Sequence, residues 1–344
     1  MRRYALTAGL FAAALLLAAL SVRLGVTDID SNKILKVILS ELGFLATEAA
    51  GVSDHERAIV WHIRLPRTLT GAFVGASLAL SGAMLQGLFR NPMASPVVVG
   101  VSTGGALGAT SAIALGLGAA SLWAVPLSAF AGALVTVLLV SLVATHKGHT
   151  PLGALILCGM AMNSIAGALT TLVLSYSVSD FEIARQILFW LMGSLTNRTW
   201  EHVILIAPFF AASGVAAAFF GRELNLMMSG EESAMALGVD TARAKAWILT
   251  IAAAAAGASV AVAGVVGFVG LLVPHIVRML AGPDHRRLLY SSMTAGAVFV
   301  MGMDLLARTL SPGGEIRLGV LSASIGGPFF LYLIVKNRAR AETF

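Results

Sequence analysis

The sequence predicts an all-α, polytopic membrane protein of about ten transmembrane helices with an inverted-topology internal repeat. Three observations carry this. Hydrophobic residues fill 58% of the 344 positions and charged residues only 12%, about half the roughly 25% charged share of an average soluble domain. The apolar residues fall into runs of membrane-crossing length, about 20 residues each. A ten-residue pattern also recurs in two spans that would face opposite ways.

The spans follow in order at 4–22, 68–89, 94–118, 121–144, 152–175, 203–220, 246–264, 268–281, 288–309 and 318–335. The first, behind Arg2 and Arg3, lacks a convincing small-residue cleavage site and reads as a retained anchor. Before the second stands IRLPRTLTGA, in which Pro66 suits the first turn of a helix. Arg64 and Arg67 flank it, although a helix start disfavours cations. The third span is rich in Gly and Ala, and small residues let membrane helices approach closely. The fourth is apolar almost throughout. The fifth holds Cys158, the one cysteine, which excludes an internal disulfide and reads as a small buried residue. The eighth is too short to cross alone. In the ninth, Asp304 and Arg308 stand one turn apart, a spacing that permits an ion pair within the helix.

GASLALSGAM at 75–84 and GASVAVAGVV at 257–266 share Gly, Ala, Ser, an aliphatic, Ala, an aliphatic, a small residue and Gly in order, and Pro92 and Pro274 follow at the same distance. The two segments are the second and seventh spans, and an odd separation gives them opposite orientation, as in many transporters. The chain therefore reads as one permease domain over 1–344, with pseudo-repeat halves at about 57–175 and 238–336. With the N- and C-termini inside, a modest majority of the 23 basic residues falls on the inner face, in line with the positive-inside rule. Arg64 and Arg67 then belong to the outer face.

Between the halves, at about 229–238, lies a short polar segment. Ser229 and Glu232 have the S-x-x-E spacing of a capping box, Glu231 and Glu232 suit a positive helix start, and Gly238 can end the helix. Asp240 can cap the helix that follows. A separately capped inner-face helix of this kind suits docking of another protein.

IRLPRTLTGAFVGASLALSGAMLQGLFRNPMASPVVVGVSTGGALGA, SGEESAMALGVD, GVVGFVGLLVPHIVRMLAGPDHRRLL, MDLLAR and LGVLSASIGGPFF occur in this order. Together they strongly resemble the FecCD family of ABC importer permeases, a group that includes permeases for iron siderophores, haem and cobalamin. GGEIRLGV, with Arg317, departs from the family pattern in the last outer turn, where a proline is common. The resemblance implies a homodimer in the bacterial plasma (inner) membrane, two cytoplasmic ABC ATPase subunits and an external substrate-binding protein. It further implies that Arg64, Arg67 and Arg308 dock the binding protein. Ser229, Gly230, Glu231, Glu232, Ala234, Leu237 and Gly238 would couple to the ATPase. His149, Thr150, Pro151, Leu152 and Gly153 would form an inner gate, with Met160, Asn163 and Ser164 along the translocation path. Thr150, Pro151 and Gly153 also allow a tight turn there. Membrane lipid is the remaining partner, and neither nucleic acid nor a cofactor is expected.

None of the lysines follows a glycine, so the chain has no P-loop and ATP hydrolysis is expected on a separate chain. GVSTG at 100–104 matches G-x-S-x-G, but a nucleophile elbow needs an α/β sheet that this sequence does not offer. His146 and His149 lack a third ligand nearby. His275, in VPHIVR, reads as a hydrogen-bonded structural residue. The alternative function is an ion-coupled secondary transporter or channel without an ATPase, which would need a membrane-embedded carboxylate. Asp304 is the one helix residue suited to it.

Overall fold

The computed structural model describes residues 2–44, 51–146, 150–311 and 316–341, and no β-strand occurs among them. Helix α1 (Arg2–Arg23) runs along the periphery. The short α2 (Ser31–Glu41) was not expected from the sequence; it buries Ile34 and Val37 against Val22, Ile29 and Val60. A capping box of Ser53 and Glu56 opens α3 (Asp54–Ala58). From there the chain stays helical through a π-helical stretch, Ile59–Arg64, into α4 (Leu65–Leu88).

Pro66 therefore does not start the helix as the sequence suggested. Its missing N–H interrupts the ladder inside a longer rod, and the wide turns just before it absorb the misfit.

The expected third span, 94–118, is broken. A 3₁₀ turn at Pro96–Val99 leads to Gly100, at φ 87°, before α5 (Val101–Ala114), and Gly116, at φ 69°, separates α5 from α6 (Leu117–Ala120). Fourteen helical residues rise only about 21 Å at 1.5 Å each, short of a bilayer's apolar core. There follow α7 (Ala124–Ala144), α8 (Leu152–Ser177), the amphipathic α9 (Phe181–Leu191) and α10 (Trp200–Met228). Next come α11 (Glu231–Ala236), α12 (Thr241–Ala263), α13 (Val269–Ala281), α14 (His285–Thr309) and α15 (Leu318–Ala341). Among the described residues, seven helical segments are long and apolar enough to cross a membrane: in α1, Asp54–Leu88, α7, α8, α10, α12 and α14. Val269–Ala281 and Leu318–Tyr332 are shorter apolar helices.

Helix α4 is the axis, buried along nearly its whole length. Its glycines allow this. A Cβ on Gly75 would overlap the carbonyl oxygen of Gly296 in α14, and one on Gly82 would overlap that of Gly270 in α13. Backbones in contact replace the hydrophobic drive that lipid does not supply. Ser81 Oγ donates to the Ala252 carbonyl of α12 at 2.6 Å. The last turn of α4 meets the start of α14, Gly87 lying against His285, and the end of α10 at Leu224. Because α10 leads through α11 to the start of α12, α4 and α12 run in opposite directions.

Candidate functional site

The sequence-predicted residues gather at the two ends of this bundle. At one end, Arg64 and Arg67 are only 5% and 8% exposed, which corrects the expectation that both present their charge outward. Arg64 Nη1 donates to the carbonyls of Val22 at 3.0 Å and Arg23 at 2.8 Å, and Nη2 donates to that of Thr27. The first two carbonyls end α1, where the macrodipole is negative, and the third lies in the turn that follows it. The cation that looked misplaced at the start of its own helix is thus the C-terminal cap of a neighbouring one.

Arg67 holds Asp304 with two prongs. Its Nε lies 3.0 Å from both carboxylate oxygens, and Nη2 lies 2.7 Å from Oδ1. Arg308 Nε sits 3.3 Å from Oδ2 of the same carboxylate, so the expected Asp304–Arg308 pair exists within a larger cluster. Arg308 also donates to Ser21 Oγ at 2.8 Å and to the Leu24 carbonyl at 3.2 Å.

Arg198 completes the cluster and was not singled out from the sequence. It donates to the Ser194 carbonyl at 3.4 Å and faces His202 Nε2 at 3.3 Å. Burial, with the nearby charge of Arg67, brings its guanidinium down to about 10, so it stays charged at neutral pH. The signal for Arg67 and Asp304 was available: opposite charges in otherwise apolar runs face protein rather than lipid. Trp61 and Trp200 border this end with ring centroids 4.9 Å apart, and Trp200 Nε1 donates to the Trp61 carbonyl at 2.8 Å.

The other end carries α11. Ser229 does not cap it; it ends α10, and Gly230, at φ 114°, stands at the N-cap position without a side-chain bond. The expected capping box with Glu232 fails because α11 starts one residue later than the spacing assumed, with Ser229 already used as the C-cap of α10, and Glu231 is turned toward α12. Lys245 Nζ donates to both Glu231 oxygens at 2.6 Å, and Thr241 Oγ1 donates to Oε1 at 3.3 Å. Lys245 is the main reason this carboxylate lies below its usual range. Gly238, at φ 84°, closes α11 as expected, its N–H donating to the Met235 carbonyl at 2.9 Å. Ala234 is buried, whereas Glu232, Met235 and Leu237 face outward. Asp240 caps α12 by accepting from the Arg243 N–H at 3.1 Å.

Near this end α8 opens at Pro151 and Leu152. Gly153 is inside the first helical turn, not in a tight turn, and His149 lies outside the described residues. Thr150 Oγ1 is 2.9 Å from Thr145 Oγ1. Further along α8, Met160 and Ser164 are exposed. Asn163 turns instead into the bundle, donating to the Val97 carbonyl at 2.9 Å and accepting from Thr103 Oγ1 at 2.5 Å. The path residues are therefore not one surface. Nor is His275 hydrogen-bonded through Nδ1, which is buried without a partner.

Fold and site together define a multi-pass membrane protein built for translocation, with a polar brace at one end and a short exposed helix at the other. The chain belongs to the FecCD transport family, which matches residues 13–336; this is a family of ABC transporter permease subunits, translocation components and not enzymes. It is 43% identical over 300 residues to the cobalamin import system permease of Halobacterium salinarum, covering 87% of this chain and 79% of that one. To the hemin transport system permease of Yersinia pestis it is 40% identical over 286 residues, covering 81% and 85%. A solved inward-facing structure of a metal-chelate type ABC transporter superposes with a TM-score of 0.81 at 33% identity, covering 96% of this chain and 98% of that one.

Proposed function

We propose that this chain is the permease of an ATP-driven importer that carries a bulky metal chelate of the cobalamin, haem, ferric-citrate or iron-siderophore kind into the cell. The observation that carries this reading is the near full-length similarity to permeases named for cobalamin and hemin. In this reading the protein sits in the plasma membrane with both termini inside and crosses it about ten times. The antiparallel course of α4 and α12 supports the inverted repeat of its halves.

Two ATPase subunits bind the inner face at α11 through Glu232, Met235 and Leu237. A binding protein delivers cargo at the arginine end, where Arg308 is the least enclosed of the three expected docking residues and Arg64 and Arg67 shape the platform beneath it. Helix α8, whose Met160 is 58% exposed, pairs with a second copy around the path, and the residues opening α8 stand at its inner end. A self-driven carrier would need a carboxylate free to load an ion, whereas Asp304 is held by Arg67 and Arg308.

The test is uptake by proteoliposomes holding the permease, its ATPase and its binding protein, offered cyanocobalamin, haem, ferric citrate or a ferric siderophore. Uptake of one of them that requires ATP inside and the binding protein outside is the expected result. Uptake driven by an ion gradient without the ATPase would overturn the reading.

A further inference from the structure

Lys245 lies in the second turn of α12, yet its side chain is only 8% exposed, against 40% for Glu231. An ammonium offers three N–H donors and no acceptor. Here it finds three oxygens on two other segments. Both Glu231 oxygens, on α11, lie 2.6 Å away, and the main-chain oxygen of Thr150, just ahead of α8, lies 3.4 Å away. Thr241 steadies the carboxylate from the side, and the charge of Arg90 acts on it as well.

The surroundings make this contact more than one among many. Lys245 and Thr150 line two separate cavities. One is an apolar groove of about 400 Å³ bordered by Leu138, Leu249 and Ala253. The other is a cleft of about 490 Å³ bordered by Pro151, Met235 and Asp240. With open space on both sides, the ammonium is the tie that crosses from α11 to the head of α8.

We propose that Lys245 is a strut that passes displacement of α11 to the opening turn of α8. Moving α11 away alone would strand a buried cation without its counter-charge, which is strongly unfavourable, and moving the head of α8 away would leave one ammonium N–H without its oxygen, so the three parts shift together. The inference rests on the reading of α11 as the ATPase contact.

The test uses the full permease with its ATPase in nanodiscs, comparing amide hydrogen exchange at 231–239 and 152–156 before and after trapping the ATPase with ATP and vanadate. In the unaltered protein and in Lys245→Arg, trapping is expected to change exchange in both segments. In Lys245→Met the change persists at 231–239 and is lost at 152–156, with the ATPase still bound. Glu231→Gln should reproduce that loss, and adding it to Lys245→Met should change nothing further, as both act through one interaction. A nucleotide-dependent change at 152–156 that survives in Lys245→Met, or is absent from the unaltered protein, would overturn the strut. Separately, Glu232→Lys on the exposed face of α11 should release the ATPase. Unchanged binding in that variant would remove the coupling reading, and would do so independently of the exchange result.

Discussion

Arg67 and Asp304, 237 positions apart in the chain, meet in a two-pronged ion pair that fixes the start of α4 to the last turns of α14. Neutralising Asp304 takes away the counter-charge that Arg67 and Arg308 share at this buried site. Asp304→Asn should therefore cost about 3–5 kcal/mol, read as a lowered unfolding temperature in detergent. Arg67→Met combined with Asp304→Leu should cost less than the sum of the two single changes, because each removes an interaction the other has already broken. A strictly additive pair would show that the contact contributes nothing.

Arg64 serves three carbonyls at and just beyond the end of α1, a task for a planar fork with several donors. Arg64→Lys keeps the charge but loses most of those bonds, at about 1–3 kcal/mol for the buried groups left unpaired. Faster amide exchange and proteolysis near residues 22–27 should report it. Arg64→Glu should fail to fold before any effect on docking can be measured.

Gly82→Ala places a methyl group on the Gly270 carbonyl and should sharply reduce the yield of folded protein. Gly167, in the middle of α8, has nothing within 4 Å of such a methyl. Gly167→Ala should be neutral or stabilising by up to about 1 kcal/mol from helix propensity. Clear destabilisation there would mean that another copy packs on this glycine.

Asp284 caps α14 through the Arg286 N–H at 3.1 Å and accepts from Asn225 Nδ2 at 2.7 Å. The Asn225 bond first, then the Arg286 N–H and the charges of Arg286 and Arg287, hold this carboxyl below its ordinary value of 3.8 against the opposing effect of burial. A depressed acid stabilises the fold fully above its unfolded value and loses that contribution as pH falls through the folded one. Unfolding scans should thus show Asp284→Ala less stable by about 0.5–2 kcal/mol at neutral pH, with the gap closing below pH 3.8. A gap that persists in strong acid would trace the effect to packing instead.

If α8 faces a second copy, Met160→Cys in a Cys158→Ser background should cross-link two chains and stop uptake. Lipid facing this position would leave the chains monomeric under the same reagent at every nucleotide state.

The apolar runs made the spanning helices legible because a hydrocarbon environment demands long, uncharged segments, and that demand is written residue by residue. The third run misled for the same reason. Its hydropathy is continuous, but Gly100 and Gly116 adopt left-handed conformations that hydropathy does not register. Ser229 and Glu232 had the spacing of a cap, yet a capping box is a local preference of about 1 kcal/mol, and here the preceding helix runs on far enough to take Ser229 as its own C-cap, leaving Gly230 at the N-cap of α11. The arginines were legible as unusual but not as partners. Arg64 answers to the end of α1 and Arg67 to a residue in α14, and neither relation has a footprint in local sequence. Arg198 carried no pattern at all.

The unbroken helix from Asp54 to Leu88 counts 35 residues, about 50 Å at 1.5 Å per residue. The hydrocarbon layer is only about 30 Å thick. Even a steep tilt leaves several turns standing in the headgroup region or beyond it, and these begin with Asp54, His55, Glu56 and Arg57, the residues a watery surface favours. The axis of the bundle is consequently also a mast. Load applied to its projecting tip arrives, along a single helical rod, at Gln86, whose amide holds the Leu271 carbonyl at the far end of the bundle.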